Sequence, residues 1–163
     1  MAGMGTSEHA GTGEPLTLYL VKRLELVIRA LMDDALRPLG LTTLQYTALS
    51  VLAGRGPLSS AQLARRAFLR PQTMHEMVLT LEKRGLLARE RHEGNKRILL
   101  ATLTGKGRAL LAECGPAVQE IECALLAELS PGRQAALREG LQHGFSALAA
   151  LSAARRAGDA VQD

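Results

Sequence analysis

The sequence predicts a mainly α-helical fold with one small β-hairpin, and three observations carry that expectation. Ala and Leu dominate a chain that is 47% hydrophobic but only 2% aromatic, with no Trp, and both are strong helix formers. Apolar residues recur at helical spacing over most of the 163 positions. One stretch, Leu86 to Leu103, breaks that period into two β-prone runs around Gly94-Asn95, a reasonable hairpin signal. The length fits one domain able to bury a real core.

The first helix is expected over residues 16–37, where Leu20, Leu24, Val27, Ile28, Leu31 and Ala35 keep the period and Val21, Leu26 and Met32 widen the stripe. A helix apolar on more than one face must be covered on more than one side, which suggests a partner subunit. Pro38 disfavours the helical region for Arg37, and Gly40 follows, so the helix stops there. Thr42 or Thr43 caps a second helix through Leu44, Ala48, Leu49 and Leu52, ending near Gly54 and Gly56. Pro57-Leu58 leaves room for a very short extended piece. Ser59 with Gln62 three residues on forms a capping box that opens a third helix.

A fourth helix starts at Pro71, a favoured first helical position because its missing N–H would be unpaired anyway. Met74, Met77, Val78 and Leu81 share one face, while Gln72, Glu76, Thr80 and Lys83 share the opposite one. Gly85 ends it after Lys83-Arg84, cations suited to the negative end of the helix dipole. The hairpin runs Leu86–Arg91 and Lys96–Leu103 around His92-Glu93-Gly94-Asn95. A fifth helix is expected from Thr104 to about Leu129, with a bend at Gly115-Pro116. Ser130-Pro131 then caps and starts a sixth, ending near Leu151. Residues 1–14 and 153–163 read as flexible tails flanking one domain over 15–152.

The net charge of +4 is unevenly spread. Residues 1–54 carry 4 Lys/Arg against 5 Asp/Glu, residues 55–108 carry 12 against 4, and residues 109–163 carry 4 against 7. A basic middle between neutral and acidic flanks points to one local surface for a polyanion. No apolar run approaches the roughly 18 residues of a membrane span. The N-terminus lacks the basic start and apolar stretch of a secretory signal, so a cytoplasmic chain with reduced thiols is expected. Cys114 and Cys123 lie nine residues apart on one helix, about 13.5 Å apart on opposite faces, and read as buried small hydrophobes. The four histidines are scattered, and no metal-ligand spacing, phosphate loop or nucleophile motif is present. No cofactor and no enzymatic activity are expected.

Helix, short turn, helix and hairpin in succession make a winged helix-turn-helix. The second helix of such a unit buries one face and offers polar residues from its N-terminal half to base edges in the major groove. Gln72 can pair with adenine, and Arg70 can reach guanine or a phosphate. Thr73 and His75 can donate to phosphates or bases, and Glu76 shares the outward face. Arg89, Arg91, Lys96 and Arg97 make the hairpin basic, suited to the electronegative minor groove and to counterion release. Arg65 and Arg66 are divided between solvent and phosphate.

The stretches LRPLGLTTLQYTALSVLA, LSSAQLARRAFLRPQTMHEMVLTLEKRGLLARE and KRILLATLTGKG resemble the MarR family of bacterial transcription regulators. The most specific parts are Leu69–Arg89 and Leu103-Thr104-Gly105-Lys106-Gly107. The resemblance implies a DNA-binding lobe over 41–104, with helices of 15–40 and 105–152 forming an intertwined homodimer. It also implies two recognition helices on a pseudo-palindromic double-stranded DNA operator, and an effector-responsive repressor whose effectors are often phenolic or lipophilic anions. Tyr19, Arg23, Tyr46 and Leu49 are pocket candidates from the first two helices, each equally serviceable as an ordinary packing residue. The chain departs from the family at Asn95, where an Asp usually orients the wing arginine, here Arg97; Arg91 is the rival for the groove contact. The alternatives are a winged-helix metal or redox sensor, and a helical interaction module that does not bind DNA.

Overall fold

A computed structural model describes residues 16–159. The expected tail over 1–14 and the last residues, 160–163, lie outside the described residues. The chain runs α1 (Thr17–Leu36), a 3-10 turn (Arg37–Leu39), α2 (Thr43–Arg55), β1 (Leu58–Ser59), α3 (Ser60–Ala67), α4 (Pro71–Lys83), β2 (Leu87–His92), β3 (Asn95–Leu103), α5 (Gly105–Leu126) and α6 (Pro131–Asp159). It divides into two compact units between Val118 and Gln119, inside α5.

The element boundaries follow local chemistry. Arg37 keeps right-handed helical dihedrals despite preceding Pro38, contrary to expectation, because the chain tightens into the 3-10 turn in which Pro38 occupies an early position. Gly40, at φ +69°, then supplies the left-handed residue that releases the chain. Thr42 caps α2, its hydroxyl accepting from the Gln45 N–H while the Gln45 side chain accepts from the Thr42 N–H. Ser59 and Gln62 make the same reciprocal pair at α3. Both boxes satisfy N–H groups that a helix start leaves unpaired.

In the first unit the core gathers Leu36, Ala48, Leu49, Leu63, Met74, Val78, Leu81, Leu86 and Leu87, all essentially inaccessible. Burying each Leu, Met or Val among them contributes roughly 1.5–3 kcal/mol. The sheet has the order β1-β3-β2 and is antiparallel, with Leu58 opposite Ala101 and Leu87 opposite Leu103. Short as it is, β1 pairs with β3 and ties the base of the hairpin to the start of α3. The entry to α5 is clasped to the end of α4. Thr104 N–H donates to the Leu86 carbonyl at 3.2 Å, the Thr104 hydroxyl donates to the Gly85 carbonyl at 2.7 Å, and the Lys106 ammonium donates to the Arg84 carbonyl at 2.8 Å.

α5 continues through Pro116 and ends at Leu126, short of the expected Leu129. A hydrogen bond from the Leu129 N–H to the Leu126 carbonyl tightens the chain there. In the second unit the Gln134 amide donates to the carbonyls of Leu126 and Leu129 at 3.3 and 3.0 Å, satisfying acceptors at the helix end. Arg138 pairs with Glu122 at 3.1 Å. α6 passes the expected end near Leu151 and runs to Asp159, for the Ala/Arg-rich segment that follows is itself helix-favouring. Arg156 reinforces it by donating to the Ser152 hydroxyl at 2.9 Å. No helix among the described residues is long and apolar enough to cross a membrane.

Candidate nucleic-acid interface

α3 and α4 are joined by Phe68-Leu69-Arg70. Phe68 sits at φ 54°, in the left-handed region, which costs a residue other than glycine roughly 1–2 kcal/mol. Leu69 N–H nevertheless bonds the Ala64 carbonyl at 3.0 Å, closing α3. The turn delivers Pro71 into the first position of α4, with Arg70 as its N-cap. Unlike α2 and α3, α4 begins with no side-chain cap, and like them it has no acidic residue in its first turn. Its leading N–H groups and positive dipole end are therefore left for an external anion.

Met74, Val78 and Leu81 are fully buried, while Arg70, Gln72, Thr73, His75 and Glu76 are all exposed. The sequence-predicted helix residues thus share the outward side of α4. Gln72 Nε2 donates to Glu76 Oε1 at 3.4 Å. One turn further on, the Thr80 hydroxyl donates to the Glu76 carbonyl at 3.0 Å.

The wing is a hairpin turned by Glu93-Gly94, with His92 opposite Asn95. Gly94 N–H donates to His92 Nδ1 at 3.0 Å. The register then slips: Arg91 faces Leu99, so Lys96, Arg97 and Ile98 have no counterpart on β2. A bulge of this kind re-aims side chains and bends its strand. Asn95 Oδ1 accepts the Arg97 backbone N–H at 3.1 Å. At the place where the family's Asp orients the wing arginine side chain, Asn95 thus holds the Arg97 main chain. Arg91, Lys96 and Arg97 are exposed, and none forms an ion pair among the described residues.

Arg89 is placed differently from the other wing cations. Its Nε and Nη2 both donate to Glu82 Oε2, at 3.0 and 2.7 Å, with the guanidinium mostly covered. Those hydrogen bonds hold the Glu82 carboxyl below the usual carboxylate range. Glu82 was not singled out from the sequence; its position seven residues before Arg89, at the end of a helix leading into a strand, was the available signal. The pair braces the wing against the recognition helix.

The four effector candidates do not converge. Arg23 stacks over the Tyr19 ring at 5.5 Å on the exposed side of α1. Tyr46 is half-buried and Leu49 is wholly inside the core, because its place on α2 faces the packed side. A cavity of about 610 Å³ does open between α1 and α2, but its lining includes none of the four; it is formed by Ile28, Arg29, Asp33, Leu41, Thr43, Leu44 and their neighbours. At its edge Asp33 accepts from the Thr43 hydroxyl at 2.6 Å and from the Thr43 N–H at 2.9 Å, and its carboxyl is lowered for that reason. Arg29 and Lys22 both bond Glu25. Cys114 is buried, and lack of solvation, with Glu113 nearby, pushes its thiol up. Cys123, expected to be buried, is exposed on its helix with Gln119 3.5 Å from the sulfur. Among the described residues no group of His, Cys, Asp and Glu is placed to hold a metal ion.

A helix-turn-helix whose uncapped second helix turns a polar face outward, beside a cationic wing, defines a winged-helix regulator of the DNA-binding class. The chain belongs to the MarR family, whose model matches residues 39–98. It is 36% identical over 139 residues to the HTH-type transcriptional repressor Rv2887 of Mycobacterium tuberculosis, covering 85% of this chain and 96% of that one. The repressor NicR of Pseudomonas putida is 29% identical over 97 residues, 60% of this chain and 61% of its own length. Among solved structures, Rv2887 in complex with DNA superposes with a TM-score of 0.66 at 35% identity, over 80% of this chain and 98% of that one. The Rv2887 complex with salicylic acid gives a TM-score of 0.65 at 35% identity, over 80% and 97%. BpsR of Bordetella bronchiseptica, at 24% identity, shares the fold with a TM-score of 0.73 over 83% and 97%.

Proposed function

We propose that this chain is a homodimeric, effector-responsive repressor that binds a pseudo-palindromic DNA operator and has no catalytic role. The observation that carries the reading is the start of α4 inside the winged helix-turn-helix, where a missing cap, which α1 shares, coincides with an exposed polar face. α2 and α3 satisfy their leading N–H groups with reciprocal side-chain boxes, whereas α4 has none and is entered by Arg70, beside exposed Gln72, Thr73 and His75. Arg91, Lys96 and Arg97 on the wing add the sequence-independent attraction to phosphates. Arg89 braces the wing through Glu82 and contributes to binding through that position.

Dimerisation rests on apolar side chains exposed on the single chain. Leu18, Leu20, Val27 and Leu31 of α1, and Leu141, Leu148 and Leu151 of α6, are each about half accessible. Apolar side chains left this open on each of the two helices point to a partner that covers them. Rv2887 has been crystallised with salicylic and p-aminosalicylic acids, which supports a small aromatic carboxylate as effector class. A DNA-binding regulator of this kind works in the cytoplasm.

The test is light scattering followed by selection from randomised duplexes. The expected mass is twice the 17.4 kDa of the chain. The enriched sequence should be an inverted repeat with half-site centres about one helical turn apart, or a multiple of it. A folded monomer removes the dimer; a wild-type protein that enriches no half-site removes the repressor reading altogether.

A further inference from the structure

Glu76 is at odds with the surface around it. Residues 55–108 carry 12 Lys/Arg against 4 Asp/Glu, a segment suited to a polyanion. Of those four acids, Glu82 is neutralised by Arg89, and Glu90 and Glu93 lie on the wing. Glu76 alone of the four stands exposed on the outward face of α4, one turn beyond Gln72. No ion pair among the described residues involves it. A carboxylate held there is repelled by every phosphate the helix approaches, so it lowers affinity for DNA in general. It repays that only where a base edge offers an N–H.

Resting on the DNA-binding reading above, we propose that Glu76 is a specificity-determining residue that accepts a hydrogen bond from the N4 amino group of a cytosine, and so requires a C·G pair beneath the second turn of α4. In the major groove cytosine shows a donor with no acceptor on the same base, whereas adenine sets its N6 donor beside the N7 acceptor, and guanine and thymine present acceptors at the corresponding edge. A carboxylate, which only accepts, suits the first of these and is disfavoured by the others. Gln72 completes the unit. By donating Nε2 to Glu76 Oε1 at 3.4 Å it steadies the carboxylate while keeping its own carbonyl and second N–H for a neighbouring base. The two residues are four apart, about 6 Å along the helix axis, close to two base-pair steps.

The experiment is selection from randomised duplexes with wild type, Glu76→Ala and Glu76→Gln, accompanied by titration of a duplex without the enriched site. Both variants should keep the wild-type Tm, since the side chain is exposed. Wild type should enrich a half-site with cytosine at one inner position. Glu76→Ala should lose that preference by roughly tenfold or more, while binding the site-free duplex several-fold more tightly. Glu76→Gln should move the preference from cytosine towards adenine, the base an amide pairs with. If wild type enriches a half-site and Glu76→Ala selects the same bases with the same information at every position, Glu76 reads nothing and the proposal falls while the repressor reading stands. A wild type that enriches no site overturns both.

Discussion

Gly107 is the position at which a single methyl group should do most harm. A Cβ built there would fall inside the van der Waals envelope of the Leu86 carbonyl oxygen, 2.8 Å from Leu103 Cδ1 and 3.0 Å from the Leu86 carbonyl carbon. The obstacle is main chain, so no rotamer change relieves it. The same Leu86 carbonyl accepts the Thr104 N–H, and the Thr104 hydroxyl in turn accepts the Gly107 N–H at 3.0 Å. Substitution by Ala must drive the first turn of α5 away from Leu86 by roughly 1 Å, enough to stretch the 3.2 Å hydrogen bond from Thr104 N–H to the Leu86 carbonyl beyond its normal range. Overpacking of this kind costs about 1–3 kcal/mol, and each weakened hydrogen bond about 1 kcal/mol more. Gly107→Ala should therefore lose about 3 kcal/mol, a fall in Tm of roughly 6–12 °C for a domain of this size. Gly105, two residues earlier in the same helix, has nothing within 4 Å of its Cβ position. Gly105→Ala should leave Tm unchanged or slightly raised, as alanine is the better helix former. The assay is thermal unfolding of both variants beside wild type at one protein concentration, with urea midpoints as a check. Equal Tm values for the two alanine variants would refute the close approach of α5 to Leu86.

Three further outcomes are expected. Arg97→Ala and Arg91→Ala should each weaken binding to all duplexes and reduce the slope of log affinity against log salt by roughly 1; an unchanged slope in both places the wing off the phosphates. Glu82→Gln should cost about 1 kcal/mol at neutral pH, since the Arg89 pair is only partly covered. Because Glu82 ionises below its usual range, the advantage of wild type is complete above about pH 4.3 and disappears as pH falls through the lowered value; urea midpoints that differ equally at every pH would exclude the pair as its source. Cys123 should be alkylated at once by a neutral thiol reagent and Cys114 only after unfolding, because Cys114 is buried with its thiol pushed up; equal rates in the native protein would contradict that burial.

The sequence by itself determined the elements whose causes are local. Thr42 or Thr43, Ser59, Pro71 and Ser130-Pro131 mark helix starts because capping and proline geometry act within four residues. Gly85 marks a stop for the same reason, the Gly94-Asn95 pair marked the hairpin turn to within one residue of its place at Glu93-Gly94, and the alternation of Met74, Val78 and Leu81 with Gln72 and Glu76 set the two faces of α4. The basic middle, too, is plain in the order of residues. Contacts between segments distant in sequence were not legible, for no periodicity encodes which side chain a fold brings against another. Arg89 looked like any other wing cation until α4 brought Glu82 to it, and Asn95 was only a departure from the family pattern until its side chain was seen to hold the Arg97 main chain. Leu49 stood open between pocket and packing because helical spacing cannot say which buried face meets a ligand and which meets the core. Gly107 stood out in the sequence, but its reason, a main chain closer than a methyl group allows, exists only where α5 crosses Leu86.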